Sequence, residues 1–270
     1  MSLTRSLDKA REAYKTKDKA ASIAAHNPKN LNNKNNKFAP EEHKTSGQYI
    51  KSAIYGGMDG TVTTFAVVAG VAGASLNAGV VLILGFANLI ADGLSMAIGD
   101  YVSTKSEREY HAAERERELW EARNYPEGEK LELMEIYKDK GLPEKDAKVI
   151  VETLSKHEKA WVDVMMVEEL GIVESDETPM KNAIVTFMSF AIFGLIPVLA
   201  YVLALWIGVF KNSTFAIACV LTGITLFVLG ALKVKVTGKN WARSGLEVLI
   251  IGGITATAAY IVGYLLSGLA

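Results

Sequence analysis

The chain has 270 residues, 50% of them apolar, and a formal net charge of −1 at pH 7. So small a balance points to no partner, and nucleic acid is not among those expected. The distribution of charge does exclude an ordinary soluble domain, which alternates charge with core residues along every element: of 29 Lys and Arg, 11 lie in positions 1–51, 13 in 101–181, and none between Ala53 and Asp100.

The chain opens with a basic arm over 1–47. Residues 6–26, SLDKAREAYKTKDKAASIAAH, read as a weakly amphipathic helix suited to an anionic membrane surface. Residues 27–37, NPKNLNNKNNK, have almost nothing to bury and read as a disordered linker. His26 and His43 read as solvated bystanders. No secretory signal is expected, because the first apolar run begins near residue 53 and is too long for one.

About 20 apolar residues cross a bilayer as a helix. The first candidate span, 50–74, contains Asp59 in IYGGMDGTVTTF. An acid at that depth costs about 2.5–3.5 kcal/mol on insertion scales. It is either hydrogen-bonded to Thr61, Thr63 or a neighbouring helix, or it lines an ion or proton path. Gly56 and Gly60 form a GxxxG around it, and Gly70 and Ala74 repeat the small-residue spacing, which suits a helix–helix or subunit contact. The second span, 77–103, carries Asn88, Asp92 and Met96 at successive i+4 positions, a polar stripe that fits a channel lining; Asp100 lies nearer its end.

Residues 104–180 form a helical insert. KSEREYHAAERERELWEARN lacks a breaker, so one long helix is expected to run on from the second span as far as NYPEG at 124–128. EKLELMEIYKDKG forms the next helix, ended at Gly141, and one or two more follow. Apolar stripes at Leu131, Met134 and Tyr137, and at Val149, Val151 and Leu154, would pack them as a bundle. Glu118 and Glu121 share one face, as do Glu129 and Glu132. An antiparallel hairpin about Tyr125 would bring Glu121 level with Glu129 and Glu118 level with Glu132. Four carboxylates that close repel unless a cation joins them.

In WVDVMMVEEL, residues 161–170, Met165 and Met166 stand at i−4 and i−3 from Glu169, so two thioethers flank one carboxylate. Carboxylates alone suit Mg²⁺, Ca²⁺ and Mn²⁺, and sulfur tilts the set toward softer ions such as Fe²⁺. Solvated glutamates and core-filling methionines would give the same spacing, and the residues leave both readings open. His111 and His157 read as surface histidines.

Three further spans follow: 182–207, interrupted by Pro197, where a kink is expected; 213–232, with the lone Cys219, which offers neither a disulfide nor a metal-site spacing; and 244–266, with Glu247 near its start. An N-terminus in the cytosol puts 28 of the 29 basic residues on the cytosolic side of five spans. The expected architecture is an all-α membrane protein, with spans 1–2 in 48–103, a cytosolic insert in 104–180 and spans 3–5 in 181–270.

IYGGMDGTVTTFAVVAG, ADGLSMAIGDYVSTKSE, the EREL-led glutamate pattern and W.D.MM..EL, in this order, resemble the vacuolar iron transporter family of plants, fungi and protists over about 48–266. The resemblance implies a five-span homodimer in the bilayer of a vacuole or other acidic endomembrane compartment. It implies a proton-coupled antiporter, not an enzyme, that moves cytosolic Fe²⁺ into the store for detoxification and storage. Mn²⁺, Co²⁺ and Zn²⁺ are further cargoes, and there is no prosthetic group. It places Asp59 and Met96 in the membrane path at the dimer interface. It places Glu118, Glu121, Glu129, Glu132, Met165, Met166 and Glu169 in a cytosolic metal-binding domain, with Glu114, one turn before Glu118, as a weaker candidate. Plant members carry glutamate where this chain has Asn88. An amide can coordinate a metal but cannot carry a proton, which leaves Asp92 as the candidate for that task. No phosphate-cradling glycine motif is present, consistent with coupling without ATP. The alternatives are a membrane-anchored metal sensor or buffer, and a scaffold whose glutamates are merely solvated.

Overall fold

The computed structural model describes residues 12–14, 16–21, 46–173, 177–206, 213–234 and 240–269. The basic helix expected over 6–26 lies largely outside these residues, and the linker over 27–37 wholly so. The chain divides into two compact units, 1–51 and 52–270. In the first, Asp18 accepts hydrogen bonds from the amides of Ala20 and Ala21, starting a short helical turn.

Every regular element among the described residues is helical: α1 (Ser46–Gly73), α2 (Ala78–Asn124), α3 (Pro126–Asp139), α4 (Glu144–Leu154), α5 (Glu158–Glu168), α6 (Pro179–Trp206), α7 (Thr214–Leu232) and α8 (Trp241–Leu266), closed by a 3₁₀ turn at Ser267–Leu269. Local chemistry sets the ends. Asn77 caps α2 by accepting from the Val80 amide, and Asn240 caps α8 by accepting from those of Ala242 and Arg243. Pro126 opens α3, where its missing N–H costs nothing. Beyond α3 and α5 lie Gly141 and Gly171, at φ of 92° and 66°, in the left-handed region that favours glycine.

Four helices among the described residues are long and apolar enough to cross a membrane: Ala78–Asn124, Pro179–Trp206, Thr214–Leu232 and Trp241–Leu269. Helix α1, with 28 residues, is long enough, but its six glycines, three threonines and Asp59 keep it out of that group. Helix α2 has 47 residues, about 70 Å at 1.5 Å per residue. It runs without interruption through the boundary expected near residue 104, as the lack of a breaker implied. Pro197 lies buried inside α6 without ending it.

Small residues set the apolar helices close together. A Cβ on Gly60 would lie 2.4 Å from the Phe190 carbonyl oxygen of α6, and one on Gly56 would lie 2.7 Å from that of Thr186. The GxxxG around Asp59 is therefore a contact between α1 and α6 of one chain. Gly70 meets α8, where a Cβ on Gly263 would fall 2.0 Å from its carbonyl. Backbone cannot give way as a side chain can, so Gly60→Ala should destabilise the purified chain by about 1–3 kcal/mol. Gly253→Ala, on α8 with open space around it, should leave thermal unfolding unchanged or slightly raised. Equal melting temperatures for the two variants would refute this packing.

The insert α3–α5 and the distal part of α2 enclose their own core: Ala122, Leu133, Val151, Trp161, Val162, Met165, Met166 and Ile172. The expected stripes need correction. Leu131 and Val149 are exposed, while Leu133, Ala147 and Val151 are buried. Residues two apart on a helix point in nearly opposite directions, so Leu131 cannot share a face with Leu133. Met134, Tyr137 and Leu154 do pack against the core.

Candidate metal centre

The helices of the insert gather three carboxylates. Glu118 near the end of α2, Glu129 in the first turn of α3 and Glu169 at the end of α5 each present an oxygen within 4.8 Å of the others. Glu118 is 1% exposed and Glu129 5%, a degree of burial that charged groups reach only when paired or ligated. Glu118 Oε1 and Oε2 and Glu129 Oε2 are buried without a hydrogen bond. Burial pushes Glu118 up to about 7, with Glu169 adding to the rise and Arg117 opposing it. Burial likewise pushes Glu129 up to about 7, with Glu118 and Glu132 next in effect. Glu169 is raised by desolvation, then by Glu132, again against Arg117. Such a group of acids relaxes in one of two ways, by holding protons or by holding a cation.

The group draws on three helices and not on the α2–α3 hairpin alone. Glu118 meets Glu129 and Glu169, and Glu132 acts on all three, being the largest charge effect on Glu169. The reason is that α5, more than α3, packs along α2, so the third helix supplies the third carboxylate. Glu121 lies at the edge of the group: it acts on Glu118, Glu129 and Glu169, but its Oε2 is held by Arg117 Nη1 at 2.5 Å. Glu114 is likewise paired with Arg117, at 2.9 Å. Met165 and Met166 are 1% and 2% exposed and belong to the insert's core. Arg117 escaped the reading of the sequence, although its spacing from Glu114 and Glu121, i−3 and i+4, was there to be seen. His111 packs beside Tyr110 and His157 precedes α5, and neither belongs to the three-carboxylate group.

A second polar group lies among the apolar helices. Asp59 is half-buried on α1, and Asp92 on α2 is near enough to act on it electrostatically. Asn88 Nδ2 donates to Thr64 Oγ1 at 3.3 Å and Thr63 Oγ1 at 3.5 Å, linking α2 to α1. Met96 is half-buried and Asp92 exposed on the surface of the single chain. Asp100 is tied instead to α6: Thr186 Oγ1 donates to its Oδ2 at 2.5 Å, and Thr104 Oγ1 lies 3.5 Å from its Oδ1. Glu247 faces Lys233 at 3.8 Å.

The model of the VIT family matches residues 50–264. A Toxoplasma gondii (strain ATCC 50861 / VEG) protein named vacuolar iron transporter is 41% identical over 268 residues, covering 97% of this chain and 89% of its own length. A Plasmodium falciparum (isolate 3D7) protein of that name is 34% identical over 263 residues, 95% of each chain. An Oryza sativa subsp. japonica protein named vacuolar iron transporter 1 is 33% identical over 244 residues, 90% of this chain and 91% of its own length.

Proposed function

Because the chain belongs to the VIT family, whose named relatives are transporters and not enzymes, we propose that it moves iron across the membrane of a vacuole or other acidic endomembrane compartment into the store. What carries the reading in this chain is the convergence of Glu118, Glu129 and Glu169 within 4.8 Å, with two of them buried and short of hydrogen bonds.

In this account α1 is a fifth span, and the N-terminus and the insert lie in the cytosol, which sets 28 of 29 basic residues on that side. The insert gathers Fe²⁺ on Glu118, Glu129 and Glu169, with Glu121, Glu132, Met165 and Met166 around them. The ion then passes Asp59, Asp92 and Met96, with Asn88 as a neutral oxygen donor. A proton from the acidic side takes its place on a carboxylate, because a carboxyl ligates well only when ionised. Coupling is therefore antiport with protons and needs no nucleotide. Asp92 is exposed in mid-span, where lipid contact is costly, so a second copy of the chain covers that face and the working unit is a homodimer. Mn²⁺, Co²⁺ and Zn²⁺ are secondary cargoes of the same sites.

Trp161 supplies a test of the first step. It is 3% exposed, in the insert's core with Met165 and Met166. With Trp120, Trp206 and Trp241 changed to Phe, ferrous iron added without oxygen should quench the Trp161 emission saturably. A flat titration would remove the metal centre. Quenching without any flux across sealed vesicles would make the protein a membrane-anchored sensor or buffer.

A further inference from the structure

The guanidinium of Arg117 touches three carboxylates at once. Its Nε lies 2.9 Å from Glu114 Oε2, Nη1 2.5 Å from Glu121 Oε2, and Nη2 2.8 Å from Glu118 Oε1. The first two partners sit on its own helical face, at i−3 and i+4, and alone would form a surface ion pair of small value. The third does not: neighbours at i+1 point away from each other on a helix. Arg117 thus reaches sideways, from the solvated edge of α2 to the one carboxylate of the metal centre that is 1% exposed.

That third contact is of charge and not of a directed hydrogen bond, since Glu118 Oε1 has no hydrogen-bond partner despite the 2.8 Å approach. The Arg117 side chain is 42% exposed, so it can leave Glu118 for water without disturbing the core. Five carboxylates, those of Glu118, Glu121, Glu129, Glu132 and Glu169, act on one another here, and Arg117 is the cation that opposes the rise at both Glu118 and Glu169.

We propose that Arg117 is a resident stand-in for the metal: its guanidinium partly neutralises the empty centre and must be driven off Glu118 when a divalent cation loads, so that Arg117 sets the concentration at which loading occurs and speeds release toward the membrane. This rests on the reading of Glu118, Glu129 and Glu169 as metal ligands. Arg117 is a positioning residue and not a ligand, because a guanidinium has no lone pair to offer a cation. Its contribution to the loaded centre is repulsive, a unit positive charge close to a double one.

The sign of the effect separates this role from a structural one. A residue that merely held the glutamates in place would weaken metal binding when removed. An internal competitor strengthens it. The experiment is anaerobic equilibrium dialysis of ferrous iron against the full-length chain in detergent micelles, comparing wild type, Arg117→Lys and Arg117→Gln, followed by a chelator chase of the loaded protein. Arg117→Gln should bind about tenfold more tightly and release iron more slowly. Arg117→Lys, which keeps the charge but not the fork that reaches three carboxylates, should fall between. Unchanged or weaker binding in Arg117→Gln, with wild type binding normally, overturns the proposal and leaves the metal centre standing. Should Arg117→Gln fail to fold, Arg117→Lys decides, since equal or weaker binding there overturns the proposal equally. Absence of binding in wild type itself would remove the metal centre and this role with it.

Discussion

Asp59→Ala should reduce pH-gradient-driven uptake of ferrous iron into proteoliposomes to the level of protein-free vesicles, with the variant still folded. Asp59 stands on α1 where glycines bring that helix against the α6 backbone, and its carboxylate interacts with that of Asp92. Two acids acting on each other among apolar helices are relieved by a proton or by a cation, which is the alternation an antiporter requires. An alanine ligates neither. The packing of α1 does not depend on the carboxyl group: Thr63 Oγ1 donates to the Asp59 backbone carbonyl at 2.8 Å, not to its side chain. Thermal unfolding should hold or rise slightly, since a costly charge is removed. Asp59→Asn should be equally inactive while nearly isosteric. Near-normal flux in either variant would exclude Asp59 from the path.

The second large effect is at Glu118 and Glu129. Glu118→Gln with Glu129→Gln should weaken ferrous binding by at least about 100-fold, since loss even of groups that only support a ligand costs 10–100-fold. Wild-type binding should depend steeply on pH. Both carboxyls are raised to about 7 in the empty protein, so below that value metal must displace up to about two protons. Affinity should therefore fall as pH drops through 7 and level off above about 8. The linked effect on stability has the opposite slope. A carboxyl whose folded value is raised stabilises the fold fully below its unfolded value near 4.3, and this stability is lost as pH rises through about 7. The metal-free protein should be least stable above pH 7, a chelator added to the iron-loaded protein should lower the melting temperature more at pH 8 than at pH 5.5, and the double Gln variant should lose both dependences. A pH-independent affinity in wild type would show that these two groups do not hold the ion.

Much of this was legible in the sequence because helices announce themselves by what is missing. The absence of any breaker between Lys105 and Asn124 foretold that α2 would run on past the second span as one helix, and Gly141 foretold the end of α3. The glutamate pairs were visible as i,i+3 spacings, but which of them meet was not. That depends on α5 lying along α2, a tertiary choice that brings Glu169 to Glu118 and Glu129. Leu131 and Val149 were misplaced for a related reason: in a short, charged helix, which of several offset apolar residues turns inward is decided by the neighbour. Arg117 was hidden by convention, since basic residues are not sought among metal ligands. Composition also misleads at α1, whose glycines and threonines serve close packing at the expense of apolarity.

The most direct test of the account is to follow iron and protons together in sealed vesicles holding only this protein, with an acidic interior and ferrous iron outside under anaerobic conditions. The account predicts that iron enters while protons leave, that a protonophore collapses both movements, and that neither occurs with Asp59→Ala. Iron entry unaltered by loss of the gradient, or a protein that neither retains ferrous iron nor lets it cross, would contradict it.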